Sequence, residues 1–330
     1  MIRFFAKNDI VTIIGLLLYA LIIKGYILFY PTLYYPNELD SFIGHVLFSF
    51  GNGGLIIRFI LTSLFIFTQA VQINSIANDS RMYYSQSGFA GLFYILLTSL
   101  APEYMSISPA LVGMSFLLLA IQSVYGVYKK SNVTKKIFNA SVMIAIATIF
   151  YPPYAIMFIG LFIELIILRS FTFKEQLQYI VGFLVMFWIT GVMLYYFDKL
   201  SFEILSTISI GGSLDLLVIE DFIDIAGVFL ISVLVLYVLL GYYGYQKKKE
   251  VETRKKIDFL YWILFLSLVG LLVLDHIQPN YLILLIMPLS TLIAISMSNV
   301  HNIRKVEFFH LLILSLVLFV QYNQLVAFDV

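Results

Sequence analysis

Apolar residues in this chain come in long unbroken runs rather than in alternation. Eleven such runs follow one another, over residues 10–30, 55–73, 84–101, 107–128, 137–151, 154–169, 179–197, 225–246, 258–274, 281–297 and 306–322. Continuous runs read as helices, whereas half-buried strands alternate. A helix needs about 20 residues to cross ~30 Å of hydrocarbon, and most of the runs approach that length. The pattern predicts an all-α, polytopic integral membrane protein with about eleven transmembrane helices. The fifth and sixth runs are short for a full crossing, so they are expected to be tucked inside the bundle or to sit where the bilayer thins. Two junctions predict tight hairpins: Ala101-Pro102-Glu103 between the third and fourth runs, and Tyr151-Pro152-Pro153-Tyr154 between the fifth and sixth. Proline lacks an amide donor and disfavours a helical residue before it.

Two longer segments, 31–54 and 198–224, mix apolar and polar residues at near-helical spacing and are expected to lie on the membrane surface. Gly211-Gly212 would divide the second. Tyrosine pairs mark the ends of runs, as at Tyr83-Tyr84, Tyr195-Tyr196 and Tyr242-Tyr243, and read as interfacial anchors. The opening MIRFFAKND resembles the charged start of a signal peptide. The run that follows extends to Tyr30 without a small-residue cleavage site, so it is expected to remain as the first span. With no internal repeat and no soluble segment, one membrane domain is expected over 1–330.

Composition agrees: 61% of residues are apolar and 12% charged, against about 45–50% apolar in a soluble domain. The absence of cysteine excludes disulfides, thiol nucleophiles and thiolate metal sites. A net charge of +1 offers no footprint for nucleic acid, and no such partner is expected.

The distribution of charge is more informative than its total. Of 20 basic residues, 17 fall at the N-terminus or in every second gap: Arg3, Lys7, Arg81, Lys129, Lys130, Lys135, Lys136, Arg169, Lys174, the 247–256 cluster, Arg304 and Lys305. This is the positive-inside pattern; it predicts a cytoplasmic N-terminus and, after an odd number of spans, an outer C-terminus. The exceptions are Lys24, Arg58 and Lys199. Acids lean the other way, with 11 of 19 on the expected outer face, including Glu38, Asp40, Glu103 and Asp275. Insertion alone does not demand that bias.

Candidate chemistry therefore gathers outside. Glu38, Asp40 and His45 share the first outer loop. Asp40 either caps a local helix or serves as a general base at the membrane surface, and spacing does not choose between these roles. Lys24, Arg58 and Lys199 either snorkel to the interface or hold a lipid phosphate there, with His45 a further candidate for that phosphate. Glu164, inside the sixth run, is a functional candidate or a partner of Arg169 or of a cytoplasmic lysine. Gln69 and His310 are expected to bond across helices. No zinc-protease, phosphate-loop or nucleophile-elbow motif is present.

The layout of residues 1–170 resembles the type-C (GT-C) membrane glycosyltransferases, which use polyprenyl-phosphate sugars. The likeness rests on one span, an acidic first outer loop, a proline-marked outer turn at Ala101-Pro102-Glu103, a basic turn, and the proline-broken stretch NASVMIAIATIFYPPYAIMFIGLFIELIILR. It places Asp40, or Glu38, in the position of the catalytic acid. It implies transfer of a sugar on the outer face of a bacterial inner membrane. The leaving lipid phosphate would be stabilised by Arg58, Lys199 or a bound divalent cation; no other cofactor is expected. The chain is also similar to uncharacterised bacterial polytopic inner-membrane proteins. Two other functions fit the same pattern: a non-catalytic membrane subunit of an export or envelope-assembly complex, and a flippase or transporter for lipid-linked sugars. A transporter predicts helices broken at mid-membrane, whereas the prolines here sit at the ends of runs.

Overall fold

A computed structural model describes residues 2–29, 54–100, 104, 107–170, 172–197, 222–246, 249–273, 279–300 and 302–328. Among them there is helix and no strand. Each of the eleven apolar runs carries a helix. In order these are α1 (Ile2–Phe5), α2 (Ile10–Lys24) continued by α3 (Tyr26–Phe29), α4 (Leu55–Asp79), α5 (Phe89–Leu97), α6 (Pro109–Tyr125), α7 (Thr134–Phe150) and α8 (Ile156–Leu168). They are followed by α9 (Phe173–Tyr196), α10 (Phe222–Leu240) with α11 (Tyr242–Gln246), α12 (Val251–Val273), α13 (Ile283–Ser298) and α14 (Ile303–Phe328). Three described stretches are long and apolar enough to cross a membrane: Ile10–Phe29, Leu55–Asp79 and Phe173–Tyr196.

The centre of the bundle is a pair of helices from distant parts of the chain. All nine residues of α5 are buried, and α13 is buried on nearly every side. The two pack on one another, with α4 also against α5. A helix that is apolar all round needs protein or lipid on every face. At nine residues α5 is about 14 Å long, less than half the hydrocarbon thickness. The third and tenth runs are thus the most deeply buried, while the fifth and sixth expose few side chains beyond the charged start of α7. The fifth run packs as α7 against α6 and α9, and the sixth as α8 against α12. α9 lies at the periphery with most of its apolar side chains exposed, Trp188 and Leu184 among them.

Local chemistry sets the ends of these helices. Ser108 caps α6 by accepting from the Leu111 N–H at 3.2 Å, with Pro109 in the first position, where proline is tolerated. The Pro152-Pro153 pair ends α7 and forms a single 3-10 turn before α8. The break is sharp, as expected, yet no packed hairpin results, because α7 and α8 diverge to different partners and share little contact. α5 and α6 likewise go to different neighbours, although both touch α4. The turn residues 101–103 lie outside the described residues. α4 closes with Arg81 at φ 53°, a left-handed conformation in which the Met82 N–H reaches the Ala77 carbonyl at 3.0 Å.

Polar side chains stitch the central helices together. Gln69 on α4 accepts from the Tyr94 hydroxyl at 2.6 Å and donates to the Leu111 carbonyl at 2.6 Å and to Ser115 Oγ at 2.8 Å. Asn74 accepts from the Gly91 N–H at 2.8 Å. The α4–α5 crossing is close because Gly91 has no side chain: a Cβ there would lie 2.7 Å from the Ala70 carbonyl oxygen. Gly91→Ala is therefore expected to lower stability by about 1–3 kcal/mol through forced separation of the two helices. Thermal unfolding in detergent measures this, and an unchanged midpoint would show that the crossing relaxes freely.

Candidate functional site

The basic turns gather at one end of the bundle. The Gly88 N–H donates to the Phe5 carbonyl at 2.9 Å, joining the N-terminus to the α4–α5 turn. Thr253 Oγ1 donates to the Ser80 carbonyl at 3.1 Å, Arg81 meets Glu250 at 3.4 Å, and Lys249 lies 3.8 Å over the Tyr84 ring. Burial lowers Lys249 from the usual lysine value. Lys255 Nζ donates to the Ile167 carbonyl at 2.5 Å, and Arg169 to the Lys130 carbonyl at 3.0 Å. These contacts bring the turns at 80–88, 126–133, 168–172 and 249–256 together with the N-terminus.

A polar cavity of about 250 Å³ opens among these turns, lined by Asp79, Ser80, Gln122, Tyr125, Lys130, Glu252 and Lys256, with Ile76, Gly126 and Tyr128. Its charges are mutually satisfied in part, with Lys256 and Glu252 at 2.7 Å. Close by, the Glu164 carboxylate is fully buried, and neither oxygen has a hydrogen-bond partner among the described residues. Arg169, one partner expected for it, instead pairs with Glu175 at 3.2 Å, where Glu175 also accepts from the Thr172 N–H at 3.1 Å. Lys255 and Lys256 are the cations nearest Glu164 electrostatically, but their ammonium groups are bonded elsewhere. An unpartnered buried carboxyl is costly. Glu164→Leu is thus expected to raise stability by roughly 1–3 kcal/mol, read as a higher thermal midpoint. A lower midpoint would mean that Glu164 has a bound partner in the membrane.

The opposite end holds a second polar cluster. Lys24, at the end of α2, is fully buried and donates from Nζ to the Thr98 carbonyl at 2.7 Å. Thr98 and Ser99 follow the last residue of α5. Their hydroxyls turn back onto the helix, Thr98 Oγ1 to the Tyr94 carbonyl at 2.9 Å and Ser99 Oγ to the Ile95 carbonyl at 2.7 Å. Gln321 of α14 reaches the Ser99 carbonyl at 3.4 Å. A lysine donor thus stands at the carbonyl end of a helix that stops short of the surface, where terminal carbonyls need donors.

The antiparallel register of α2 and α4 extends this cluster. Ile13 lines a cavity with Val71 and Asn74, while Tyr26 and Ile27 pack against Phe59. That register sets Lys24 at the height of Thr62 and Ser63, two buried hydroxyls without a hydrogen-bond partner among the described residues. The same tetrapeptide, Leu-Thr-Ser-Leu, supplies both pairs, at 61–64 and at 97–100. That recurrence is a signal in the sequence for residues that charge and motif searching pass over. Arg58 lies near the start of α4, half-buried and next to Phe59. Of the residues singled out from sequence, Lys24 and Arg58 therefore lie at the same end of the α2–α4 pair. Glu38, Asp40, His45 and Lys199 lie outside the described residues, as do residues 31–53 and 198–221 of the two long loops; the helix α10 already begins at Phe222. No group of three or more His, Asp or Glu side chains able to hold a metal ion occurs among the described residues. Gln69 bonds across helices as expected, and so does His310, whose Nε2 lies 2.8 Å from the Tyr19 hydroxyl.

A helical bundle with one end basic and the other carrying a recessed lysine defines a class by architecture alone. The chain belongs to the DUF6427 family, a family of unknown function whose model matches residues 39–328. No curated protein and no solved structure matches it.

Proposed function

We propose that this chain is a multi-pass protein of a bacterial inner membrane. In this reading about eleven helical segments are embedded, the basic end and N-terminus face the cytoplasm, and the C-terminus lies outside. Its function is to transfer a sugar from a polyprenyl-phosphate donor to an acceptor hydroxyl on the outer face, as its resemblance to the type-C glycosyltransferases implies. The acceptor oxygen attacks the anomeric carbon, the bond from that carbon to the lipid phosphate breaks, and Asp40 takes the hydroxyl proton. A single displacement of this kind inverts the sugar.

The observation that supports this reading is the cluster of buried polar side chains toward the non-basic end. Lys24 is buried at the end of α2, α5 ends beside it, and the buried hydroxyls of Thr62, Ser63, Thr98 and Ser99 lie at about its level. Arg58 lies at the same end and follows, in sequence, the segment that carries Glu38 and Asp40. A cation held in a dry, polar setting suits the charge that grows on a departing phosphate. Arg58 and Lys199 supply further positive charge, with or without a divalent cation.

The test is direct. Purified protein in lipid vesicles is supplied with polyprenyl-phosphate sugar and a hydroxyl acceptor, and product is followed by mass spectrometry. Because the chain has no cysteine, single cysteines at Ser41 and Ser131 report their side by membrane-impermeant labelling. The expected result is transfer, with Ser41Cys labelled from outside and Ser131Cys protected. Labelling of Ser41Cys from the cytoplasm alone rejects the topology. Absence of transfer together with a stoichiometric protein partner favours a non-catalytic subunit instead.

A further inference from the structure

At the basic end, away from the cavity described above, α10, α13 and α14 enclose a groove of about 500 Å³. Its lining is Tyr237, Met297, Val300, Arg304, Lys305, Phe308 and Phe309. The polar part of the lining is two cations and no acid, Glu307 of the same helix standing outside it; the remainder is apolar and largely aromatic. This differs from the other charged contacts at this end, where Arg81 meets Glu250, Arg169 meets Glu175 and Lys256 meets Glu252. Neither Arg304 nor Lys305 has an ion pair among the described residues, and both are exposed.

The walls are fixed. The Tyr237 hydroxyl and Ser296 Oγ share a hydrogen bond of 2.6 Å, and the Tyr237 ring lies 5.8 Å from that of Phe309. Phe93, from the central helix α5, backs Phe309 edge-on at 6.1 Å. The Asn302 side chain accepts from the Arg304 N–H at 3.1 Å, which sets where the two cations leave the first turn of α14. Phe308 stands out from the groove, 71% exposed.

We propose that this groove binds one anionic phospholipid, its phosphate between Arg304 and Lys305 and an acyl chain along Tyr237, Phe308 and Phe309. Guanidinium and ammonium groups match phosphate oxygens, and basic pockets between membrane helices hold acidic headgroups. The aromatic wall beside them suits a chain, which free phosphate lacks. The inference rests on α14 being membrane-embedded, as proposed above, and is independent of the sugar-transfer reaction on the opposite face.

Native mass spectrometry of delipidated protein tests it, with phosphatidylglycerol and phosphatidylcholine as probes. The expected result is one phosphatidylglycerol bound in preference to phosphatidylcholine. Arg304→Gln with Lys305→Gln should weaken it roughly 10- to 30-fold, and Phe308→Ala should weaken it as well. A control pair of exposed lysines from the same end, Lys135→Gln with Lys174→Gln, should leave binding unchanged. Equal binding of the two lipids, an equal loss in the control pair, or displacement by inorganic phosphate at the lipid's own concentration would each overturn the site. Asp40→Asn protein should bind the lipid as wild type does, so failure of the groove and failure of the outer-face reaction are separable.

Discussion

Asp40→Asn is expected to lower sugar transfer by about 10²- to 10⁴-fold, the usual contribution of a positioned general base. Asparagine keeps the shape and removes the ability to accept the acceptor's proton. Binding of the polyprenyl-phosphate donor should persist, because the proposed reaction assigns the phosphate to cations rather than to this carboxyl. The informative measurement is therefore a pair: initial rate of transfer, and donor retained through purification. Glu38→Gln serves as the comparison two residues away. If Glu38→Gln alone loses activity, the base is Glu38; if both variants keep full activity, no carboxylate of this loop takes the proton.

Lys24→Ala carries the largest expected cost to stability, on the order of 3 kcal/mol. Two losses combine. The Thr98 carbonyl loses its donor 2.7 Å away, and leaving a buried acceptor unsatisfied costs about 1–3 kcal/mol. The buried four-carbon stem leaves a void between α2 and α5, and voids of that kind add further cost. Lys24→Met separates the two terms, since it fills the space but cannot donate. The order of thermal midpoints in detergent should be wild type, then Met, then Ala. The same pair separates scaffold from function: a Met variant that stays folded but loses transfer gives Lys24 a role in holding phosphate. A Met variant with full transfer leaves Lys24 as the cap of α5 alone.

Much of the fold was legible because the runs are unbroken. Each of the eleven contains a helix, and the Pro152 break falls at the expected place. What hydropathy does not reveal is the identity of the neighbour, since lipid tails are as apolar as leucine. The run 84–101 looks like a span, yet its helix covers only Phe89–Leu97. Ser87 Oγ accepts from the Phe89 N–H at 3.2 Å at one end, and Thr98 and Ser99 re-bond the backbone at the other. Conversely, the helix in the run 258–274 begins at Val251, because Glu252 and Lys256 pair one turn apart and carry it into the charged segment. The candidate site was legible only in part. Charge distribution drew attention to Lys24 and Arg58 as outliers. It could not show that Lys24 turns inward to a helix end, or that Thr62 and Ser63 share its level. Those placements depend on the antiparallel register of α2 and α4, which no local pattern encodes.

The pairing of α5 with α13 has a consequence for how the molecule is made. The third hydrophobic stretch leaves the ribosome long before the tenth, and until the tenth arrives one flank of α5 has no partner. A nascent chain stopped ahead of Ile283 would hold a nine-residue stub, too short to span by itself, inside an unfinished ring. Such a chain should be recognised and cleared by proteases. Truncations ahead of Ile283 should then abolish accumulation of the protein, although most of its helices precede that point.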